Sequence, residues 1–292
     1  MFSGVINKFL ELRQIFEKDL NKSEGYFENI LQKIPISNIS LEFGKNGKRT
    51  RSILYYYFFG ANSNDSELKH KTIAIIEAIH FASIVHDDVI DNNSRRRSAP
   101  SFMNKHGIKL SILTGDYILS KIYFELSKDN YDNFTKIQIF KACSATALGA
   151  LLEHRMNEDT MIEQYIRIAY LKTASLFKLA CFLGRYLSGQ GFENAKKAAT
   201  FGACFGIIFQ AQNDINCYKF ENFEDSEDFV QRNITIVDVI LRNYMNFNIE
   251  RHFQNQKKYT IIKEMISSNE FKNIAKAMFE KYESTIFNLR LS

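Results

Sequence analysis

Apolar side chains recur at helical spacing along nearly the whole chain. Near the start they fall at Ile6, Phe9 and Leu10, and near the end at Ile262 and Met265. A repeat of three and four residues places such side chains on one face of a helix, where they can be buried in a core. The pattern predicts a protein built almost entirely of helices.

Two segments, 71–91 and 198–217, are apolar on every side, which is typical of helices that other helices surround. Polar breaks fall near residues 46, 63, 95, 130 and 225, and none of them has the composition of a linker. We therefore expect a single all-α domain over residues 1–292, with about ten or more helices.

Composition excludes an all-β protein and adds one clue. The 292 residues include only 2 prolines and 13 glycines, too few for the many turns of a sandwich or barrel. There are also 26 phenylalanines. So much ring volume either packs a core or lines a cavity for an apolar ligand.

Charge and cysteine content limit the partners and the compartment. The net charge of +5 is spread along the chain, so we expect no nucleic-acid partner. The four cysteines form no C-x-x-C pair, which suits a reducing compartment. No apolar run reaches the roughly 18 residues of a membrane span, and the first residues lack the apolar stretch of a signal peptide. These features predict a cytoplasmic protein without a transmembrane segment.

The first apolar helix carries acids that need a cation. His80, Asp87 and Asp91 fall along one stripe of the segment 71–91, with Asp88 to the side. Carboxylates four residues apart repel one another, and partial burial makes this costly unless a positive partner compensates. Oxygen-only ligands favour Mg²⁺. The alternative is a solvated helix end that binds nothing.

Two basic clusters lie close to these acids in the sequence. Residues 46–51 read NGKRTR at the apparent start of a helix, and Arg95–Arg97 follow the aspartates directly. Each cluster alone is a solvated patch more often than a binding site. Together with a pair of carboxylates that binds Mg²⁺, they indicate diphosphate chemistry, in which metal and arginine share one anion.

At this point the chain resembles the all-trans polyprenyl diphosphate synthases. Five blocks occur in order over roughly residues 43–240. They read NGKRTR, EAIHFASIVHDDVIDNNSRRRSAPS, GDYILSKI, LKTASLF and FGIIFQAQND. The resemblance implies an all-α, isoprenoid-synthase-type bundle around a deep central cavity, usually assembled as a homodimer. It also implies a prenyltransferase that condenses isopentenyl diphosphate with an allylic prenyl diphosphate.

The resemblance assigns roles residue by residue. It implies that Asp87 and Asp91 bind Mg²⁺, with Asp88 and Asp214 as weaker candidates. The residues implied to hold isopentenyl diphosphate are Lys48, Arg51, His80 and Arg97, and those implied to contact the allylic diphosphate are Arg96, Lys172, Thr173 and Gln210. Outside this family, Lys172 would be read as a lysine extending its amine to solvent, and His80 and Gln210 as satisfied core residues.

The second aspartate motif departs from the family pattern. Asn213 and Cys217 replace two of its three carboxylates, and Asn233 stands where the family usually has a lysine. Since an amide supplies no anionic oxygen, the metal of that motif should bind weakly. Two hypotheses remain. One is a working, Mg²⁺-dependent enzyme; the other is a weak or inactive subunit that binds diphosphates and pairs with an active homologue in a heteromer.

Side-chain size near the first motif bears on product length. Ala82 and Ser83 lie one turn before Asp87, and in this fold the product grows past those positions. Both side chains are small, which predicts a product longer than farnesyl. The candidate stoppers are Phe81, Tyr117 and Phe124.

Overall fold

A computed structural model describes residues 11–36, 47–60, 66–96, 99–128, 131–219, 234–247 and 255–290, and it confirms the all-α prediction. The helices are α1 (Glu17–Leu31), α2 (Thr50–Phe59), α3 (Glu67–Ile90), α4 (Phe102–His106), α5 (Ile108–Lys128), α6 (Asn133–Glu153), α7 (Ile162–Ala169), α8 (Ser175–Leu187), α9 (Phe192–Asn216), α10 (Ile236–Asn243), α11 (Asn255–Ser267) and α12 (Asn269–Arg290). Short 3₁₀ turns span Glu11–Arg13 and Cys217–Lys219, and a π-helical turn spans Tyr170–Ala174.

One small departure from the helical prediction follows α3. Two strands, β1 (Arg95–Arg96) and β2 (Ala99–Pro100), pair antiparallel with Arg96 opposite Ala99. Helical spacing is broken just before them at Asn92, whose φ of 50° is left-handed. The tip of this hairpin, and with it the predicted site residue Arg97, lies outside the described residues.

Polar side chains fix where several helices begin. Asp132 accepts a hydrogen bond from the backbone N–H of Thr135 (2.7 Å) at the start of α6. Thr235 and Asp238 form a reciprocal capping box at the start of α10. Such caps satisfy backbone donors that a helix leaves unpaired and contribute about 1 kcal/mol each.

The two segments that the sequence predicts to be surrounded are α3 and α9, and both are buried along most of their length. Aromatic rings fill the space beside α9, where Phe205 lies 5.3 Å from Phe177 and stacks on Phe201 at 6.2 Å between ring centroids. Much of the phenylalanine excess is therefore core.

Two further predictions can be compared with the described part of the chain. None of the described helices is both long enough and apolar enough to cross a bilayer. The four cysteines, for which the sequence suggests a reducing compartment, are free thiols in the structure.

Candidate active site

A π-helical turn carries two of the predicted site residues. The sequence places Lys172 and Thr173 within an ordinary apolar helix, whereas the structure shows a π turn from Tyr170 to Ala174 between α7 and α8. The N–H of Ser175 bonds to the carbonyl of Tyr170, five residues earlier. Such turns insert one extra residue into a helix and occur often at functional sites.

Lys172 lies between two carboxylates from different helices. Its Nζ makes a short hydrogen bond to Glu153 Oε2 at the end of α6 and lies 3.4 Å from Asp87 Oδ2 on α3. Burial by itself would lower the pKa of Lys172, but the charges of Glu153 and Asp87 outweigh it and raise the pKa above its ordinary value. The amine is therefore held as a cation at the first aspartate motif.

Glu153 is a site residue that the sequence analysis missed. Burial raises the pKa of its carboxyl, and the positive charge of Lys172 partly opposes that shift. The two residues are 19 positions apart in the sequence, so no local spacing joins them. The one available signal was an acid at the end of an apolar helical segment, which is too common to identify a partner.

Thr173 begins a chain of hydrogen bonds. Its hydroxyl donates to Gln210 Oε1 (2.7 Å), and Gln210 Nε2 donates to Asp214 Oδ1 (2.7 Å), one turn later on α9. Asp214 Oδ2 accepts from the hydroxyl of Tyr165 (2.7 Å) and from the backbone N–H of Ile236 (3.0 Å). Both oxygens of the 4% exposed Asp214 are thus engaged by protein groups.

The aspartates of the first motif contact different partners. Asp87 faces Lys172, while Asp88 is fully buried and accepts a 2.8 Å hydrogen bond from Arg96 Nε on β1. Burial raises the pKa of Asp88, and Arg96 partly offsets that shift. Asp91 ends α3, where its N–H bonds to the carbonyl of Asp87. Asp88 therefore holds Arg96 in place, as well as being a weaker metal candidate.

The altered second motif lies at the end of α9. Asn213 is half-buried, and its backbone carbonyl accepts a hydrogen bond from the Cys217 thiol at 3.3 Å. Among the described residues no group of three or more His, Cys, Asp or Glu side chains is arranged to hold a metal ion. Asn233 lies outside the described residues. The second motif thus carries an amide and a thiol at two positions where the family resemblance implies carboxylates.

The predicted isopentenyl diphosphate residues lie at the start of α2 and on α3. Lys48 is exposed just before α2, and His80 is half-buried. Arg51 is 8% exposed, and its guanidinium lies 4.5 Å from the centre of the Phe177 ring. Because Phe177 is one turn beyond Thr173, this stacking places Arg51 close to the π turn.

A charged network holds Arg49, the residue that follows Lys48 and precedes α2. Arg49 has a left-handed φ of 49°, and its guanidinium bonds to Glu24 on α1 (2.8 Å) and lies 3.8 Å from Glu77 on α3. Glu77 also accepts a 2.5 Å hydrogen bond from Ser52. The start of α2 is therefore tied to both neighbouring helices.

The residues predicted to set product length occupy different surroundings. Ala82 is fully buried, and the Ser83 hydroxyl donates to the carbonyl of His80. The Phe81 ring packs against Phe27 and Phe102 in the core. The other two candidate stoppers, Tyr117 and Phe124, are half-buried and 52% exposed respectively.

A small cleft, open to solvent, lies over the π turn. Glu153, Lys172, Thr173, Gln210 and Asp214 line its polar side. Tyr165, Ile168 and Ala169 of α7 add mainly apolar surface. In an all-α bundle, a cleft that combines carboxylates, a half-buried lysine and hydrogen-bonding side chains is typical of proteins that bind an anion together with a cation.

Comparison with known proteins identifies the family. The family model described as polyprenyl synthetase matches residues 35–279, most of the chain. The chain belongs to this family.

Relatives and solved structures agree with that assignment. A decaprenyl-diphosphate synthase of Dictyostelium discoideum is 34% identical over 185 residues, which cover 61% of this chain and 39% of the relative. A geranylgeranyl diphosphate synthase of Saccharolobus solfataricus is 30% identical over 183 residues, which cover 59% and 54%. These alignments span about half or less of each relative. The crystal structure of a heptaprenyl diphosphate synthase from Staphylococcus aureus shares the fold, with a TM-score of 0.79 at 24% identity over 94% of this chain and 91% of that one.

Proposed function

We propose that the protein is a Mg²⁺-dependent prenyltransferase that joins isopentenyl diphosphate to an allylic prenyl diphosphate and makes a longer all-trans product. The observation that carries this proposal is the position of Lys172, held between Asp87 and Glu153 and next to the Thr173–Gln210 pair. These are the positions at which the family resemblance implies contact with the allylic diphosphate. The relatives named above support the reaction class but differ in product.

The chain's own residues divide the chemical work. Lys172, Thr173 and Gln210 hold the allylic diphosphate through a cation and two polar groups, together with Arg96 once the substrate competes for it. Fixed positive charge stabilises the diphosphate as its bond to the prenyl carbon breaks. The Phe177 and Phe209 rings pack 5.1 Å apart, and Phe209 directly precedes Gln210 on α9. Apolar surface at this position would exclude water that captures the cationic prenyl group.

The donor set fits magnesium. Asp87 and Asp91 supply carboxylate oxygens one turn apart, and Mg²⁺ typically uses one or two protein carboxylates and fills its remaining positions with water and phosphate oxygens. When bound, the metal would neutralise the diphosphate and make it a better leaving group. Asn213 and Cys217 make the second metal position weaker.

We propose that the product is longer than farnesyl diphosphate and falls in the long-chain range, beyond geranylgeranyl diphosphate. Ser83 lies one turn before Asp87 on α3 and is small, and Ala82 beside it is also small, so neither closes the path of a growing chain. Phe81 is packed into the core against Phe27 and Phe102, so its role as a stopper remains a prediction.

One incubation tests the reaction and the product length together. The purified chain is supplied with farnesyl diphosphate, labelled isopentenyl diphosphate and MgCl₂, and the products are separated by chain length. We expect products beyond geranylgeranyl and no turnover when a chelator removes the metal. A product no longer than geranylgeranyl would contradict the length proposal. No turnover by the chain alone would favour the second hypothesis, a subunit that needs an active partner.

We also propose that the protein is a homodimer that pairs through α5 and α6. Both helices carry large apolar side chains that are more than two-fifths exposed and recur on one face of each helix. Tyr123 and Phe140 join the two faces with ring centroids 5.6 Å apart. The set comprises Ile108, Ile112, Leu113, Tyr123, Phe124, Ile137, Phe140, Leu148 and Leu151. A contiguous apolar surface of this kind marks an interface more often than a free surface. The buried apolar side chains of the described residues form two hydrophobic clusters, and both α2 and α8 contribute to each of them. We therefore treat each subunit as one domain.

Replacing Phe140 by Asp tests this interface. The variant should weaken dimerisation at least about 30-fold, because a charge at a buried aromatic contact costs 2 kcal/mol or more. Sedimentation of wild type and variant over a range of concentrations measures the effect. Phe287→Asp, at a 64% exposed position on α12, is the control and should leave association unchanged. A wild-type protein that sediments as a monomer at all concentrations would rule out the homodimer.

A further inference from the structure

The π turn lies between two helices that each press a glycine against its backbone. A Cβ at Gly149 on α6 would lie 2.3 Å from Lys172 N and 2.6 Å from Lys172 Cα. A Cβ at Gly206 on α9 would lie 2.4 Å from Ala174 Cα. These separations are far below the contact distance of two carbon atoms. Any other residue at either position would therefore displace the turn.

Each of these helices also binds a functional side chain of the turn, one helical turn beyond its glycine. On α6, Glu153 follows Gly149 by four residues and pairs with Lys172. On α9, Gln210 follows Gly206 by four residues and bonds to Thr173. Residues four apart lie on the same face of a helix. On each helix, one face therefore both contacts the backbone of the turn through its glycine and binds a side chain of the turn. The helices α6 and α9 thus contact the π turn in the same way, each through a glycine and a polar side chain four residues later.

A buried hydroxyl completes this arrangement. Ser175 Oγ donates to the carbonyl of Leu171 at 2.7 Å within the turn and lies 3.2 Å from Thr146 Oγ1 on α6. Ser175 is 6% exposed, so water does not replace these bonds easily. The hydroxyl therefore links the irregular backbone to the helix that carries Gly149.

We propose that Gly149, Gly206 and Ser175 are positioning residues, which set the π turn so that Lys172 and Thr173 meet the diphosphate of the allylic substrate. The inference rests on the proposed function, since it assigns these residues to that substrate's site. A displacement of about 1 Å in a binding site can lower a rate about 100-fold. An added Cβ at Gly149 or Gly206 would lie so close to the backbone of the turn that the turn would have to move by about this distance.

The test compares Gly149→Ala, Gly206→Ala and Ser175→Ala with the wild-type protein. Gly25→Ala is the matched control, because Gly25 is exposed on α1 and an added Cβ meets nothing within 4 Å. Calorimetry with inorganic pyrophosphate and MgCl₂ measures binding without any need for turnover. We expect about tenfold weaker binding for the two glycine variants, about threefold weaker for Ser175→Ala, and no change for Gly25→Ala.

Steady-state kinetics distinguish a displaced π turn from a general loss of stability, because only a displaced turn would affect the two substrates differently. The glycine variants should lower kcat/KM for the allylic substrate about 100-fold and leave the KM for isopentenyl diphosphate unchanged. A folded Gly149→Ala or Gly206→Ala protein with wild-type pyrophosphate affinity would overturn the proposal. If the alanine variants do not fold, Ser175→Ala decides, because it removes atoms and adds no clash, and wild-type affinity there would equally overturn it. A wild-type protein that binds pyrophosphate without transferring prenyl groups would refute the proposed function, while the affinities would still test the positioning.

Discussion

Replacing Asp87 by Asn should lower prenyl transfer about 1,000-fold, because metal and charge stabilisation of a leaving diphosphate is worth several kcal/mol. Asp87 is the carboxylate of the first motif that faces Lys172, at 3.4 Å, and it is only 17% exposed. An asparagine keeps the shape of the side chain but supplies no anionic oxygen to Mg²⁺. The measurement is kcat and KM for both substrates, with direct titration of Mg²⁺ as a second readout.

An aspartate-to-asparagine substitution at an exposed position is the control. It distinguishes the effect of losing a negative charge at the site from the effect of changing the net charge of the protein. Asp159→Asn, in the loop after α6, should retain full activity and metal affinity. The Asp87→Asn protein should remain folded, because Lys172 still has Glu153 as a partner. An Asp87→Asn enzyme with more than a tenth of the wild-type rate would contradict the assignment of Asp87 to the metal.

Replacing Asp214 by Ala should destabilise the protein by about 4 kcal/mol, since a buried donor that loses its acceptor costs about 1–3 kcal/mol. Three donors would be left at once: the Tyr165 hydroxyl, the Gln210 amide and the Ile236 N–H. Denaturant unfolding measures the loss as a lower midpoint. Activity should also fall, because Gln210 would no longer hold Thr173 in a fixed geometry.

Two further variants should give smaller losses of stability than Asp214→Ala. Tyr165→Phe removes a single donor and should cost about 1 kcal/mol, and Asp159→Ala at an exposed position should cost almost nothing. If Asp214→Ala unfolded at the wild-type denaturant concentration, the three hydrogen bonds would not contribute to stability. The expected result makes Asp214 a structural residue of the second motif, in which Asn213 and Cys217 have already lost their carboxylates.

The sequence predicted those features that depend on neighbours along the chain. Apolar spacing predicts helices over 71–91 and 198–217, and the structure shows α3 and α9 at Glu67–Ile90 and Phe192–Asn216. Helical periodicity is enough there because burial decides the structure of both segments. The family resemblance also brought together Asp87, Lys172, Thr173 and Gln210, which the structure places in one region through hydrogen bonds and ion pairs.

The features that the sequence did not predict depend on contacts between distant segments. The π turn differs from an α-helix by one residue per turn, and the composition of residues 170–174 does not distinguish them. Gly149 and Gly206, the glycines that contact the backbone of the π turn, lie on two other helices. Glu153 becomes a site residue only because α6 ends beside Lys172. The departure at Asn233 and the predicted contact at Arg97 lie outside the described residues.

The Arg49 network joins the first described helix to the turn that carries Lys48. Glu24 on α1 and Glu77 on α3 hold the guanidinium of Arg49 from two sides, and this arginine separates Lys48 from the helix that carries Arg51. A residue of α1 therefore helps to hold the left-handed turn before α2. Loss or undocking of α1 would take Glu24 away and leave the Arg49 guanidinium with Glu77 alone, at 3.8 Å, so we expect it to loosen the start of α2 and weaken the proposed binding of isopentenyl diphosphate.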